Sequence, residues 1–210
     1  MRIVITRASL QSILRSGQWI LIAGAVLTMG YCALLFADGW LFQKRERQRL
    51  EQLLHDRQET SDLRSHGTST ASSKISSSAT TPGLIGRIEI PRLGLSVMVI
   101  EGVDRRTLRR AAGHIPGTAL PGQTGNVGIS GHRDTFFRPL RNIQQNDIIT
   151  VSTLLGDYRY RVTSTKVVNA RDVAVLDSSG NEVLTLVTCY PFYFVGPAPN
   201  RFIVRAERTL

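Results

Sequence analysis

Cys189 stands at the end of the run Val183, Leu184, Thr185, Leu186, Val187, Thr188, two residues before Pro191. β-Branched and apolar residues in such a run suit a buried strand. Proline lacks a backbone donor and biases the preceding residue to extended geometry, so ladder pairing should stop within a residue or two of the thiol. The sulfur is therefore expected at the C-terminal rim of a sheet. After an aromatic turn with Gly196, Pro197 and Pro199, the alternation from Arg201 to Arg205 reads as a half-buried strand. If the two runs are neighbours, Arg201 starts where Cys189 stops, and a guanidinium lies near the thiol. A lone cysteine at a strand end is ordinarily a small core residue, so the case for chemistry rests on what the rest of the chain brings to it.

Four histidines are present, and His55 and His66 fall in polar segments ahead of the folded part, leaving His114 and His132. His132 follows Gly128, Ile129, Ser130 and Gly131, just after a short buried run and at a glycine that allows close backbone approach. His114 reads equally as a surface or a supporting group. A thiol attacking an amide needs a thiolate, a proton for the leaving amine, and positive charge where the oxyanion develops. Cys189, His132 and Arg201 can supply these three. The other cysteine, Cys32, lies within an apolar run behind Tyr31 and is assigned no chemistry.

The elements that must carry these residues fall into five segments. Residues 1–18 precede an uncharged apolar run, Trp19 to Ala37, of the length a helix needs to cross a hydrocarbon core. The run is longer than the usual signal-peptide core and ends without a small-x-small cleavage pattern. Flanking charges, Arg2, Arg7 and Arg15 against Lys44, Arg45, Arg47 and Arg49, do not fix its orientation and lean against a cytoplasmic N-terminus by count. Residues 38–58, with Leu50, Leu53 and Leu54 on one side, read as a stalk helix. Residues 59–82 are rich in serine, threonine, glycine and alanine and read as a flexible tether.

Residues 83–210 form the folded domain. Strands are expected over Ile85–Ile90, Leu95–Ile100, Asn126–Ser130, Asp147–Thr153 and Tyr158–Val168, besides the two that hold Cys189 and Arg201, with a short helix Asp104–Ala112 capped by Asp104 and stopped by Gly113. Many short strands and one short helix point to an all-β barrel or sandwich. The formal charge of +10 comes from dispersed arginines without a nucleic-acid motif, so no nucleic-acid partner is expected; the charge suits an anionic membrane or envelope surface.

Thr185, Leu186, Val187, Thr188 and Cys189 resemble the TLxTC signature of sortases, membrane-anchored cysteine transpeptidases, with a matching Gly131, His132, Arg133 loop and a downstream Arg201. The resemblance covers nearly all of residues 83–210. It implies an eight-stranded β-barrel behind an N-terminal transmembrane helix, with Cys189 as nucleophile, His132 as general acid/base, Arg201 as oxyanion- and substrate-orienting cation, and Thr188 as a wall of the site. It further implies cleavage of an LPxTG-type sorting signal through a thioacyl enzyme and transfer to an amine. The partners would be secreted proteins bearing a C-terminal sorting signal, an envelope or protein amine, and the membrane. The family also implies a cytoplasmic N-terminus and an extracytoplasmic catalytic domain, where an unpaired Cys189 is exposed to oxidation unless it is used. The pattern is most similar to class D sortases or the single enzymes of Gram-negative bacteria, lacking an aspartate-aromatic lid motif and a long helical insertion before the catalytic strand. No cofactor is expected, and no carboxylate cluster marks a calcium site. Two rival readings are a cysteine peptidase that transfers its acyl group to water, and a membrane-tethered β-domain that only binds partners.

Overall fold

A computed structural model describes residues 7–65, 83–193 and 196–209. The chain divides into two compact units, Met1–Leu41 and Phe42–Leu210. One helix, α1 (Arg7–Ser65), runs without interruption through the apolar run and the stalk and continues into the stretch read from composition as a tether. Glu59, Asp62, Leu63 and Arg64 are compatible with a helix, and the first glycine or proline comes only at Gly67, so composition marked the boundary too early. The remainder of that stretch, 66–82, lies outside the described residues. In the first unit, Trp19, Leu21, Leu27 and Leu34 are all exposed. The helix there is long and apolar enough to cross a membrane by length and composition.

The second unit is built on eight strands: β1 (Leu84–Ile90), β2 (Leu95–Glu101), β3 (Ala112–His114), β4 (Gly125–Ser130), β5 (Ile148–Thr153), β6 (Gly156–Asn169), β7 (Glu182–Tyr190) and β8 (Asn200–Thr209). They close into a barrel in the order β1-β2-β3-β4-β7-β8-β6-β5. Closure leaves no strand as a whole at a sheet edge, as an open sandwich would. Alternate residues line the interior: Ile88 and Ile90, Val97 and Val99, Val127 and Ile129, Leu184 and Leu186, Val204 and Ala206 join one buried cluster.

The expected helix is shorter than the sequence suggests. Asp104 caps α2 (Arg105–Arg110) by accepting from the backbone N–H groups of Arg106 and Thr107, but Ala111 is already extended. Ala112 to His114 then form β3, too short for periodicity to reveal. Gly113 does more than stop a helix, because a Cβ there would lie 2.1 Å from the carbonyl oxygen of Gly102.

From Phe42 onward, α1 belongs to the same unit as the barrel. β3 pairs with β2 only from Val99 to Glu101, so the first half of β2 lacks a strand on that side. Gln43 fills the gap: its Oε1 accepts from Met98 N–H at 2.9 Å, and its Nε2 donates to Arg110 O at 2.6 Å. Arg47 donates to Ser96, and Glu51 pairs with Arg87 at 3.3 Å. Leu50 is 1% exposed, and Met98 is as deeply buried although it alternates with the inward-facing Val97 and Val99. The stalk helix is thus an integral part of the folded unit.

Among the described residues four ionisable groups, Arg92, Asp104, Asp147 and Tyr160, are displaced from their ordinary range, Arg92 upward by its hydrogen bond to Asp147. Arg92 forks onto Asp147, and this hydrogen bond, with a smaller one from the Gln144 backbone, lowers the Asp147 carboxyl against the opposing effect of burial. The Thr107 hydroxyl and backbone lower Asp104 in its capping position. Burial in the barrel pushes the Tyr160 phenol up to about 12.

Candidate active site

Cys189 lies at the rim of the barrel near the end of β7, whose neighbours are β8 and β4. On one side β8 runs antiparallel to β7, and Cys189 is paired directly with Arg201. Opposed residues of an antiparallel pair share a face, with Cα atoms roughly 4.5–5.5 Å apart. Since Leu184 and Leu186 point into the barrel, Cys189 belongs with Val183, Thr185 and Val187 to the outward set and is half-buried. The ladder runs one residue past the thiol, to Tyr190 opposite Asn200, and stops at Pro191.

On the other side β4 runs parallel to β7, with Ser130 level with Val187. The chain keeps that register beyond the strand: Gly131 N–H donates to Val187 O at 3.1 Å, and the Thr188 hydroxyl donates to Gly131 O at 2.8 Å. Two residues after Ser130, His132 therefore leaves the sheet level with Cys189, two residues after Val187. Gly131 is required here because a Cβ would lie 2.8 Å from the ring of Phe137, which is fully buried under the loop. Phe137 N–H donates in turn to His132 O at 3.0 Å.

The structure thus collects Cys189, His132 and Arg201 at one rim, the cysteine in the middle. The imidazole is exposed. Among the described residues no hydrogen bond joins His132 to Cys189, and Arg201 Nη1 donates to Ala198 O at 3.2 Å and to Asn200 O at 3.0 Å. Thr188, expected as a wall of the site, is instead 2% exposed, with its hydroxyl committed to Gly131 O. It points inward because it alternates with Cys189, so its contribution is to hold the histidine loop from below.

Sequence reasoning named Arg133 only as part of the histidine loop and left His114 open between two readings, while Arg141 went unremarked; all three fix the surrounding loops. Arg133, next to His132, is 6% exposed; its Nη1 donates to Pro191 O at 2.8 Å and its Nη2 to Gly196 O at 3.2 Å. Arg141 stacks 5.7 Å from the ring of Tyr193 and donates to its hydroxyl at 3.1 Å. His114 is buried: Nδ1 lies 2.7 Å from a Glu101 oxygen, and Nε2 lies 3.0 Å from Ala119 O and 3.1 Å from Thr118 Oγ1. Thr118 Oγ1 also accepts from Gly128 N–H at 3.1 Å. Of the two readings of His114, the structure supports the supporting group, fastening the β3–β4 loop along β4.

The opposite wall is fastened by Asn126. Its Nδ2 donates to Val175 O at 3.0 Å and to Asp177 O at 3.2 Å, while its Oδ1 accepts from Thr185 at 2.7 Å. Both walls close over Gly128, where an added Cβ would meet Leu176 from one side and Thr118 and Ile115 from the other, all within 3.2 Å. Ser130, Val187 and Cys189 are half-buried towards the rim, so the surface opens there. The resulting face offers a thiol flanked by a proton-transfer group and a cation, an arrangement suited to acyl transfer.

Residues 88–209 match the family model described as the Sortase domain. Sortase D of Bacillus subtilis is 33% identical over 144 residues, covering 68% of this chain and 73% of that protein. The sortase C-1 structure from Actinomyces oris has a TM-score of 0.57 and 31% identity, covering 62% of this chain and 76% of that one. A Clostridium perfringens sortase D5 transpeptidase shares the fold with a TM-score of 0.62 over 80% of this chain and 98% of its own, at 24% identity. A family model that spans the barrel from β1 to β8, joined to a relative alike over most of its own length, establishes that this chain belongs to the sortase family.

Proposed function

We propose that this sortase cleaves an LPxTG-type sorting signal and transfers the acyl group to an amine, with Cys189 as nucleophile, His132 as general acid/base and Arg201 as the cation at the oxyanion. The observation that carries this reading is the registry of β7 between its neighbours, with Arg201 opposite the thiol on β8 and His132 leaving β4 beside it.

In the proposed sequence, the Cys189 thiolate attacks the carbonyl carbon of the scissile threonyl amide, and the negative oxygen that forms is stabilised by Arg201. The C–N bond breaks as His132 gives its proton to the leaving amine, which leaves a thioester. A second amine attacks the thioester, His132 takes the proton it sheds, and the thiolate departs. Apo hydrogen bonds at such sites are often open and tighten with substrate, consistent with a side-by-side but unbonded His132 and Cys189. The helix of the first unit would anchor the enzyme in the cell membrane as a single span with an extracytoplasmic barrel. Secreted proteins with a C-terminal sorting signal would supply the acyl group, and an envelope or protein amine would accept it.

The test is mass spectrometry of the protein incubated with LPxTG-like peptides, with and without candidate amines. An adduct on Cys189 that passes into an amide on addition of amine is the expected result, and its release only as free acid marks a hydrolase instead. Cys189→Ala should abolish the adduct, and His132→Ala should reduce it by about 10²–10⁴-fold. Full activity in either variant refutes the assignment. Arg201→Lys keeps the charge but loses the planar fork, so a large loss of rate assigns Arg201 a two-point contact.

A further inference from the structure

We propose that Arg133 is a positioning residue for the acyl-transfer site, setting the distance between the histidine loop and the cysteine loop; the inference rests on the reading of His132 and Cys189 as a working pair. Arg133 adjoins His132 in the chain, so their Cα atoms are about 3.8 Å apart and one cannot shift without the other. Its guanidinium reaches across to the segment after Cys189, where it grips the carbonyl of Pro191 at 2.8 Å and that of Gly196 at 3.2 Å. Pro191 opens the β7–β8 turn and Gly196 lies just past its midpoint. A single buried side chain thereby bridges the backbone that carries the proposed base and the backbone that follows the proposed nucleophile.

Three features make this bridge more than ordinary packing. First, Arg133 is 6% exposed, and a guanidinium removed from water must have its donors satisfied to be tolerated there. Second, Nη1 and Nη2 fork onto these two carbonyls while Nε faces Asp134 Oδ2 at 3.4 Å, a planar spread of donors that a lysine ammonium on a flexible stem cannot reproduce. Third, His132 has no hydrogen bond to Cys189 among the described residues, so the imidazole is placed by its backbone anchors. Those anchors are the Gly131 contacts to β7, the Phe137 N–H on His132 O, and the Arg133 bridge. The Arg141 to Tyr193 contact joins the same two segments, but Tyr193 is 80% exposed and water competes for that link.

The experiment measures the rate at which iodoacetamide alkylates Cys189 in the full chain in detergent micelles, in a Cys32→Ser background, with adducts read by peptide mass spectrometry. Variants are His132→Ala, Arg133→Gln, Arg133→Lys and the double His132→Ala/Arg133→Gln. Loss of the histidine is expected to slow alkylation about tenfold, because the thiolate loses its partner. Arg133→Gln should slow it at least about fivefold, and the double variant should match His132→Ala within about twofold, as residues acting through one another are non-additive. Arg133→Lys, which retains the charge, should fall between the wild type and Arg133→Gln. On a cleavable peptide, Arg133→Gln should lower kcat while KM stays within about threefold.

A purely structural role predicts the opposite sign, since a loosened loop exposes the thiol and speeds alkylation. Unchanged or faster alkylation in both Arg133 variants overturns the proposal, as does a double variant whose losses multiply. If His132→Ala alkylates at the wild-type rate, the pairing of His132 with Cys189 fails, and the positioning role falls with it.

Discussion

The docking of the stalk helix on the barrel makes a quantitative prediction about where the folded unit begins. In the unit Phe42–Leu210, Leu50 is 1% exposed, so Leu50→Ala deletes buried methyl groups and leaves a cavity at the helix–barrel junction. Such replacements cost about 2–5 kcal/mol in a closed core, and the lower half of that range applies at a junction open to water on one side, about 2–3 kcal/mol. Gln43→Ala removes its bonds to Met98 N–H and Arg110 O and leaves a strand N–H without its partner, for about 1–2 kcal/mol. The two sites share one interface, so their effects should not add fully. Urea unfolding of the fragment 42–210, followed by far-UV circular dichroism because Trp19 and Trp40 both precede it, reads these losses as shifts in midpoint. A fragment of residues 83–210 should be less stable than 42–210 by at least the larger single loss, with a smaller m-value because less surface is buried. Equal stability of the two fragments, with both substitutions within about 0.5 kcal/mol of the parent, would show that the helix lies on the barrel without supporting it.

Two further predictions concern pH. Arg92 holds the Asp147 carboxyl below its ordinary value, so this group contributes stability above the unfolded carboxylate pKa of about 4, and the contribution is lost as pH falls through the lower folded value. Asp147→Asn should therefore cost about 1–2 kcal/mol at pH 7, and its unfolding midpoint should converge on that of the parent below about pH 4. The Tyr160 phenol, raised to about 12 by burial, stays neutral in the fold while the unfolded chain ionises near 10, so stability should decline as pH rises between about 10 and about 12. Tyr160→Phe should flatten that decline; an unchanged alkaline slope in the variant would place the cause elsewhere.

How much of this arrangement the sequence discloses depends on the range of the interaction concerned. The pairing of Cys189 with Arg201 is legible as a condition, because proline and glycine mark a turn between two consecutive apolar runs and consecutive strands are commonly neighbours; the structure meets that condition. His132 is legible as a site group through its glycine but not through its register, since β4 and β7 are parallel strands far apart in the chain. Thr188 and Cys189 lie next to each other in the signature, yet strand alternation sends one into the barrel and the other outward, which motif matching alone does not resolve. Arg133 is the sharpest case. The Gly131, His132, Arg133 loop marks this arginine out, but arginine is among the residues least often buried and nothing local says what its side chain grips; only the closed barrel brings Pro191 and Gly196 within reach of its fork. The stalk escaped for a related reason: a stripe as short as Leu50, Leu53 and Leu54 is too weak to announce a partner, and the need for one lies in β2, which β3 leaves half unpaired. In both cases a distant backbone group calls for the side chain, Met98 N–H for Gln43 and two turn carbonyls for Arg133, and a backbone group carries no residue type by which a sequence can reveal it.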